Sequence, residues 1–440
     1  MTVREARPEE WREWRELRLR ALADSPDAFG ETLASAKKAD DAMWQSFVAP
    51  RADKIRLFAE QGGKPAGMCV IVIGRGEALG QGPGDSRKAN LYAMWVAPEA
   101  RGTGAGKALV EAGLRWARSR AALEVELRVS DLHEPARRLY ERCGFVDTGE
   151  RSPLRPGSEV QSSSLVARLS PLIMGVVNVT PDSFSDGGVY LDPAKAIAHG
   201  EQLLADGADI LDIGGEATNP RAQAVTVTEE LRRVLPVIER LAASVYGRDW
   251  IAPPAISIDT TKAEVARAAV AAGATIINDV SGGLFDPEMA AVVGELGENV
   301  TYIAGHLRGR SLPDVFTVEA SVSWQTVAAE LAERLGQVAP QRAWIDPGIG
   351  FGKGADPEGN VALLRHAGDI ASTIRRPIVV GPSRKRFLRK LLPDAAKADP
   401  LALDVASVAA CLGAVRAGAL VVRVHNVALL RTALAVYTKL

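Results

Sequence analysis

Eight short apolar runs recur at regular intervals in the C-terminal part of the chain, and helix-like segments separate them. The runs occupy residues 172–179, 209–213, 255–258, 275–278, 300–304, 342–345, 377–380 and 419–424. Segments with a helical pattern include residues 193–205, 228–243, 262–272 and 402–417. Buried strands that each precede a helix form β/α units, and eight such units close into a barrel. We therefore predict a (β/α)8 TIM barrel over residues 171–440, with an open doubly wound sheet as the alternative.

The first part of the chain follows a different pattern. Helix-like and strand-like segments mix without strict alternation, and a Gly/Pro/Ser-rich loop lies at residues 80–86. The predicted helices cover residues 9–23, 104–120 and 134–143, and the predicted strands cover residues 55–60, 68–74, 89–96, 123–129 and 164–169. A length of 440 residues favours more than one domain. We predict a separate mixed α/β domain over residues 1–169.

Composition excludes several classes of function. A formal charge of −1 argues against a nucleic-acid partner, because phosphate binding would leave a basic excess. No apolar stretch approaches the length that spans a membrane, and the first residues lack the apolar core of a signal peptide. Three scattered cysteines do not form a disulfide framework or a zinc cluster. These features favour a cytoplasmic protein that acts on small molecules.

Polar residues follow the apolar runs of the predicted barrel, where a barrel of this type places its active site. Asp259, Asn278 and Asp346 supply acceptors and an amide for a flat heterocycle that is rich in N–H groups, and Lys385 can donate to it. Three further residues suit an anion such as pyrophosphate with a magnesium ion; these are Asn178, Arg423 and His425. Such a site suits a reaction in which pyrophosphate is displaced.

Motifs around these residues resemble the dihydropteroate synthases along the whole of residues 171–440. They are MGVVNVTPDSFSDGG (174–188), DIGGEAT (212–218), SIDT (257–260), INDV (277–280), DPGIGFGK (346–353), GPSRK (381–385) and RVHN (423–426). The resemblance implies condensation of a hydroxymethyl-dihydropterin pyrophosphate with p-aminobenzoate. It also implies the order of events known for that family, in which pyrophosphate leaves first and the aryl amine then captures the cationic pterin methylene.

The resemblance also implies roles for individual residues. Asp259, Asn278, Asp346 and Lys385 correspond to pterin-binding positions, and Asn178, Arg423 and His425 to positions that hold pyrophosphate, with Asn178 also near Mg²⁺. Phe184, Asp186, Thr218 and Ser383 correspond to positions on or near the aminobenzoate pocket. Asp259, Lys385 and Asp186 are the catalytic candidates of the barrel. Relatives of the barrel often form dimers, so a homodimer through the barrel is expected.

Two positions depart from the usual motifs. The second loop reads Thr218-Asn219-Pro220-Arg221 in place of the usual Ser/Thr-Arg-Pro-Gly, and the last motif ends in Asn426 in place of Asp. The altered loop borders the aryl-amine pocket, which leaves open a related synthase that uses a different aryl amine. A non-catalytic pterin-binding scaffold is the third alternative, although it would not need a pyrophosphate clamp.

The N-terminal domain carries a glycine-spaced loop between a strand and a helix. Backbone N–H groups in such a loop form an anion site. The segment VAPEARGTGAG (96–106), with ARRLYERCGF (136–145) downstream, resembles the GNAT acetyltransferases over about residues 1–169. This resemblance implies acetyl-coenzyme A binding by Val96, Arg101, Gly102, Gly104 and Gly106, with Tyr140 as the general acid.

Together the two resemblances predict a bifunctional enzyme, in which an N-acetyltransferase is fused to a dihydropteroate synthase. The sequence does not identify the acetyl acceptor or the general base, for which Glu31 and Glu60 are candidates. One hypothesis is that the acceptor is an aryl amine related to the second substrate of the barrel.

Overall fold

The computed structural model describes residues 2–74, 85–180, 192–218, 224–246, 251–309, 311–315, 317, 321–338, 342–353, 357–397 and 399–438. The chain divides into two compact units, Met1–Ser170 and Pro171–Leu440.

A seven-stranded sheet forms the centre of the N-terminal unit. Its strands are β1 (Thr2–Glu5), β2 (Lys54–Gln61), β3 (Lys64–Ile73), β4 (Lys88–Val96), β5 (Glu124–Ser130), β6 (Val146–Pro153) and β7 (Gln161–Arg168). They are arranged in the order β1-β2-β3-β4-β5-β7-β6. Strands β4 and β5 run parallel, and the other neighbouring strands are antiparallel.

Helices cover this sheet, namely α1 (Trp11–Asp24), α2 (Leu33–Ala36), α3 (Asp41–Val48), α4 (Ala105–Ser119) and α5 (Glu134–Arg142). Helix α1 buries Trp11, Trp14 and Leu17, residues that share one face because they recur at helical spacing. They form a core with Phe58 and Met68 of the sheet. Helix α4 buries an equally apolar face, and this unit is therefore a layered α/β domain.

The C-terminal unit contains eight parallel strands. They are β8 (Leu172–Asn178), β9 (Ile210–Gly214), β10 (Ala255–Asp259), β11 (Ile276–Asp279), β12 (Thr301–Gly305), β13 (Ala343–Asp346), β14 (Val379–Val380) and β15 (Val421–Val424). Neighbours follow the order β13-β12-β11-β10-β9-β8-β15-β14. A parallel bridge between Ile345 and Ile378 then joins the two ends of this order and brings the sheet round into a barrel.

Helices lie between and after these strands. They are α6 (Pro193–Ala205), α7 (Val227–Tyr246), α8 (Ala263–Ala271), α9 (Met289–Leu296), α10 (Leu312–Val315), α11 (Trp324–Val338), α12 (Pro357–Arg365), α13 (Ala367–Ile374), α14 (Arg386–Leu391), α15 (Pro400–Arg416) and α16 (Val427–Tyr437). Nearly every residue of the strands is buried, which explains why the strands read as continuous apolar runs. The predicted (β/α)8 barrel and the mixed α/β N-terminal fold are both confirmed.

Four elements of the N-terminal unit were not predicted from the sequence. Strand β1 is four residues long, helix α2 is one turn long, and strand β6 is largely exposed and polar. Helix α3 follows the N-cap residue Asp40, whose side chain accepts a hydrogen bond from the Met43 N–H at 2.8 Å. The predicted loop at residues 80–86 lies mostly outside the described residues.

Candidate active sites

A pocket opens at the carboxyl ends of the barrel strands. Its lining is mixed, with charged and amide groups beside apolar ones, and consists of Thr218, Asp259, Asn278, Val280, Asp346, Ile349, Phe351, Gly381, Lys385 and Arg423. Five predicted site residues from separate β/α units therefore converge here: Asp259, Asn278, Asp346, Lys385 and Arg423. Thr218, predicted near the aryl amine, lines the same pocket.

Arg423 connects two carboxylates in the floor of this pocket. Its Nε donates to Asp212 Oδ2 at 2.6 Å, and its Nη2 donates to Asp259 Oδ2 at 2.7 Å. Asp212 also accepts hydrogen bonds from Ser257 Oγ at 2.7 Å and from Asn278 Nδ2 at 3.1 Å. Asp212 was not predicted as a site residue, although it lies in the DIGGEAT motif. Its bonds to Asn278 and Arg423 orient both of those side chains.

Arg423, which was predicted to hold an anion, therefore also pairs with two carboxylates. Two of its nitrogens bind carboxylates, and only Nη1 lacks a partner among the described residues. The paired carboxylates raise its pKa, although burial opposes that change. Arg423 is consequently always charged, and Nη1 is the group that remains for an anion.

Lys385 and two aspartates face one another across the pocket. The Lys385 Nζ lies 3.8 Å from the centre of the Phe351 ring, which is within cation–π range. Burial and nearby Arg423 together lower the pKa of Lys385 to about 8, although Asp346 and Asp259 oppose them. Burial also raises the pKa of Asp346 and of Asp259 above their ordinary values. The site thus concentrates groups that can change charge near neutral pH.

His425 is held in one orientation by Ser383. The Ser383 Oγ accepts a hydrogen bond from the His425 backbone N–H at 3.2 Å and lies 3.0 Å from His425 Nδ1. A hydroxyl that already accepts one bond can donate its proton to Nδ1, which leaves the imidazole proton on Nε2. Burial lowers the pKa of His425 to about 3, so the ring is neutral. His425 can therefore donate one N–H to an anion but adds no charge.

Asn178 ends β8 and is half-buried. Its side chain has no hydrogen-bond partner in the part of the chain that the structure describes. The predicted residues Phe184 and Asp186 lie outside the described residues, as do Asn219 and Arg221.

His306 follows β12 but does not line the pocket. It is fully buried, with Nε2 2.7 Å from Glu330 Oε2 and Nδ1 2.8 Å from Lys353 Nζ. Lys353 also donates to the backbone oxygens of His306 and Phe351, at 3.0 and 2.9 Å. These contacts hold the loop that carries Phe351.

The second candidate site lies where β4 and β5 separate. The two strands pair only from Lys88 to Asn90 on β4, opposite Glu124 to Glu126 on β5. Farther along β4 the register is shifted by a bulge, and Ala93 has a φ of 52°. A bulge bends its strand away from the regular ladder and leaves backbone groups unpaired. Beyond Asn90, β4 therefore has no ladder pairing with β5, and the two strands diverge into a cleft toward Val96.

The glycine-rich loop leads from this cleft into α4. Gly102 and Gly104 have φ values of 79° and 92°, which side-chain-bearing residues rarely adopt, and open space surrounds both positions. Gly104 is the N-cap of α4, so the first N–H groups of that helix point outward from the loop. Gly106 differs, because a Cβ there would lie 2.9 Å from Leu139 Cδ2.

Arg101 does not point freely into the loop. Its Nε donates to the Val96 carbonyl at 3.0 Å, and its Nη2 pairs with Asp24. Two predicted residues of this site are thereby linked. The loop's backbone N–H groups, rather than the Arg101 charge, are the main candidates for an anion.

Tyr140 lies on α5 and is almost fully buried against Phe145, with ring centres 5.8 Å apart. Burial raises its pKa, so the phenol stays protonated and can act as a proton donor. The two candidate bases are engaged elsewhere. Glu31 forms a salt bridge with Arg18 at 2.9 Å, and Glu60 forms one with Arg4 at 2.7 Å. Neither is positioned as a free base.

Both units match known families. Residues 174–425 match the pterin binding enzyme family, and residues 10–145 match the acetyltransferase (GNAT) family. The chain belongs to the pterin binding enzyme family, and its N-terminal unit is a GNAT acetyltransferase domain. It is accordingly an enzyme of the transferase class.

Individual relatives of the barrel are dihydropteroate synthases. That of Synechocystis sp. is 40% identical over 261 residues, which cover 58% of this chain and 85% of the relative. That of Mycobacterium leprae is 42% identical over 268 residues, which cover 59% of this chain and 90% of the relative. Among solved structures, Xanthomonas albilineans dihydropteroate synthase with 4-aminobenzoic acid is 41% identical in sequence and has a TM-score of 0.54. The match covers 62% of this chain and 94% of the Xanthomonas chain.

The described residues contain no helix that is both long and apolar enough to cross a membrane. They also contain no group of three or more His, Cys, Asp or Glu side chains placed to bind a metal ion.

Proposed function

We propose that the chain is a bifunctional enzyme. Its barrel condenses 6-hydroxymethyl-7,8-dihydropterin pyrophosphate with p-aminobenzoate and releases dihydropteroate and pyrophosphate. Its N-terminal domain transfers an acetyl group from acetyl-coenzyme A to an amine. The convergence of Asp259, Asn278, Asp346, Lys385 and Arg423 on one pocket is the observation that carries the first activity.

In this proposal the pterin ring lies in the pocket between Asp259, Asn278 and Asp346. Their oxygens accept hydrogen bonds from the ring N–H groups, and Lys385 donates to a ring acceptor. Phe351 offers a flat apolar surface beside Lys385. The carboxylates are buried and already oriented by Arg423 and by the Gly348 N–H, which donates to Asp346 at 2.7 Å.

The reaction begins when the bond between the pterin methylene carbon and the pyrophosphate oxygen breaks. The electron pair leaves with the pyrophosphate, and positive charge develops on the methylene and ring. Preorganised carboxylates stabilise this charge without reorganisation. The amine nitrogen of p-aminobenzoate then donates its lone pair to the methylene carbon and loses a proton to solvent.

The departing pyrophosphate would contact Asn178, Arg423 Nη1 and the Nε2–H of His425. The available amide oxygen of Asn178 fits a magnesium site in which the protein supplies few ligands and the diphosphate supplies others. Bound Mg²⁺ would neutralise charge on the leaving group. The neutral state of His425 fits a hydrogen-bond donor rather than a second cation.

Pyrophosphate release tests this activity. Full-length protein with the pterin pyrophosphate, p-aminobenzoate and Mg²⁺ should release one pyrophosphate for each dihydropteroate formed. A panel of other aryl amines, run in parallel, would identify a different second substrate. Pterin binding without pyrophosphate release from any amine would favour the scaffold alternative.

For the N-terminal domain, we propose that the N–H groups of residues 102–106 bind the diphosphate of acetyl-coenzyme A, whereas the Arg101 N–H donates to the Pro98 carbonyl at 3.2 Å. The positive-φ glycines and the start of α4 support this placement, because both direct N–H groups toward one anion. The pantetheine would extend along β4 near Val96. Tyr140 would protonate the departing thiolate while the amine nitrogen attacks the thioester carbon.

The acceptor is best tested on the whole chain. Acetyl-coenzyme A is offered with p-aminobenzoate, a sulfonamide, a polyamine or an amino acid, and products are identified by mass spectrometry. Acetylation of the aryl amines would support a chemical link between the two sites. Turnover of the aliphatic amines alone would make the sites independent.

We also propose that the barrel forms homodimers through α15. Leu401 and Val405 lie four residues apart on this helix and are 61% and 54% exposed, so one helix face presents two large apolar side chains. Leu401→Glu should convert a dimer to a monomer in light scattering after gel filtration, whereas Leu284→Glu, at another exposed apolar site, should not. An unchanged mass for Leu401→Glu would contradict this interface.

A further inference from the structure

Arg384 has an unusual backbone conformation at the edge of the barrel pocket. Its φ is 57°, which lies in the left-handed region that residues with a side chain seldom adopt. Its two neighbours in sequence, Ser383 and Lys385, both contact site residues, since Ser383 pairs with His425 and Lys385 lies over Phe351. The Arg384 side chain instead contacts α15, behind the pocket.

Two residues of α15 hold Arg384 in this conformation. Its Nε donates to Asp404 Oδ1 at 2.8 Å and its Nη2 donates to Asp404 Oδ2 at 3.1 Å. Its backbone N–H donates to Ser407 Oγ at 2.9 Å, and that hydroxyl donates to the Leu403 carbonyl at 2.7 Å. The side chain and the backbone of one residue are therefore both attached to a single helix.

Asp404 is suited to act as a fixed anchor. Its side chain is only 9% exposed, and it also accepts a hydrogen bond from Asn426 Nδ2 at 3.1 Å. Although burial raises the pKa of Asp404, the bonds from Arg384 and Asn426 lower it below its ordinary value, so the carboxylate stays charged. Asn426 follows His425 by one residue. The anchor thus joins the two loops that carry Lys385 and His425.

We infer that Arg384 is a positioning residue, and that its ion pair with Asp404 holds the backbone turn that directs Lys385 into the pocket. The inference rests on the proposed role of Lys385. A planar guanidinium that binds both carboxylate oxygens fixes direction as well as distance. Without it, a residue with a Cβ leaves the left-handed region, and the peptide that carries Lys385 rotates.

Three variants separate this role from simple structural support. Arg384→Ala removes the ion pair and retains a Cβ that disfavours the observed φ. Arg384→Gly removes the same ion pair, but glycine adopts this φ readily. Arg365→Ala is the matched control, because it removes an exposed Arg–Glu pair of 2.9 Å elsewhere on the barrel.

Two quantities are measured on the full chain. They are the rate of pyrophosphate release and the pH dependence with which an amine-reactive reagent modifies Lys385. We expect Arg384→Ala to lower kcat/KM for the pterin substrate by more than tenfold, and Arg384→Gly to retain several-fold more activity than Arg384→Ala. The midpoint of Lys385 modification should lie at a pH of about 8 in the native chain and move toward about 10.4 in Arg384→Ala. Arg365→Ala should match the native chain in both.

An equal loss of kcat/KM in Arg384→Ala and Arg384→Gly would overturn the inference. Native kcat/KM and a native pH midpoint of Lys385 modification in both variants would also overturn it. Should Arg384→Ala fail to fold, Asp404→Asn takes its place, because it weakens the anchor and keeps the side-chain shape. Lys385 modification does not depend on turnover. It therefore tests the inference even if the native chain released no pyrophosphate, a result that would contradict the proposed function instead.

Discussion

Replacing Asp259 with asparagine tests whether a buried carboxylate drives the condensation. Asparagine keeps an oxygen that can accept the Arg423 Nη2 hydrogen bond, which spans 2.7 Å in the native pocket. It removes the negative charge that faces the developing cation. Loss of one preorganised electrostatic contact of this kind lowers kcat by about 10²–10³. We expect a loss of that size for pyrophosphate release.

The effect on folding should be smaller. Breaking a buried ion pair by removing one partner costs about 3–5 kcal/mol, but Arg423 keeps its 2.6 Å bond to Asp212. The raised pKa of Asp259 means that burying its charge already costs stability, so a neutral side chain removes that cost. We expect the free energy of unfolding to change by about 1–2 kcal/mol at most near neutral pH.

The same pKa predicts how stability varies with pH. A carboxyl whose pKa is raised in the folded state contributes stability at low pH and loses it as pH rises through the folded pKa. The melting temperature of Asp259→Asn should therefore improve relative to the native chain as the pH rises from about 4 to about 7. Glu358→Gln, in an exposed pair with Arg365, serves as the control for both assays. Near-native pyrophosphate release by folded Asp259→Asn would refute the role of this carboxylate.

Three further outcomes follow from the two sites. The kcat/KM of pyrophosphate release should fall above about pH 8 as Lys385 loses its proton, and Lys385→Arg should abolish that decline. A decline that persists in Lys385→Arg would show that another group titrates. Gly104→Val should weaken acetyl-coenzyme A binding more than tenfold by calorimetry, because a side chain is strained at a φ of 92° and fills the space before α4. Gly62→Val, at another open positive-φ position, should leave the affinity unchanged. Native affinity in folded Gly104→Val would exclude the glycine-rich loop as the binding site. Tyr140→Phe should slow acetyl transfer by about 10²–10⁴ with little change in acetyl-coenzyme A affinity, and an unchanged rate would leave Tyr140 a packing residue.

The sequence predicted the barrel well because its strands are buried along their whole length. The run at residues 172–179 corresponds to β8 at Leu172–Asn178, and the helix predicted at residues 193–205 coincides with α6. In the N-terminal unit, β6 carries polar, exposed residues on a Gly-containing strand. An edge strand of this kind depends on pairing with β7, a long-range contact that no local pattern reveals.

The expectation that functional residues follow the barrel strands located five residues that line the pocket, since each follows an apolar run that ends at the same rim. They are Asp259, Asn278, Asp346, Lys385 and Arg423. That expectation did not give a role to Asp212, because that residue lies inside β9 and reads as part of a buried strand. His306 also follows a barrel strand, but it binds Glu330 and Lys353 behind the pocket.

Contacts with residues far along the chain explain the remaining differences between the predicted and the observed site residues. Glu31 and Glu60 looked like available carboxylates in the sequence, but distant arginines occupy both. Arg384 was quoted only as part of a motif, because neither its φ nor its contact with Asp404, twenty residues later, is visible in local sequence.

Product analysis of the barrel reaction tests the central claim most directly. The full chain is incubated with 6-hydroxymethyl-7,8-dihydropterin pyrophosphate, p-aminobenzoate and Mg²⁺, and pyrophosphate and pterin products are quantified by mass spectrometry, with Asp259→Asn in parallel. We predict equal amounts of dihydropteroate and pyrophosphate from the native chain, and a loss of both by about 10²-fold or more in the variant. Unreacted pterin pyrophosphate with the folded native chain, or equal product from both proteins, would contradict the account.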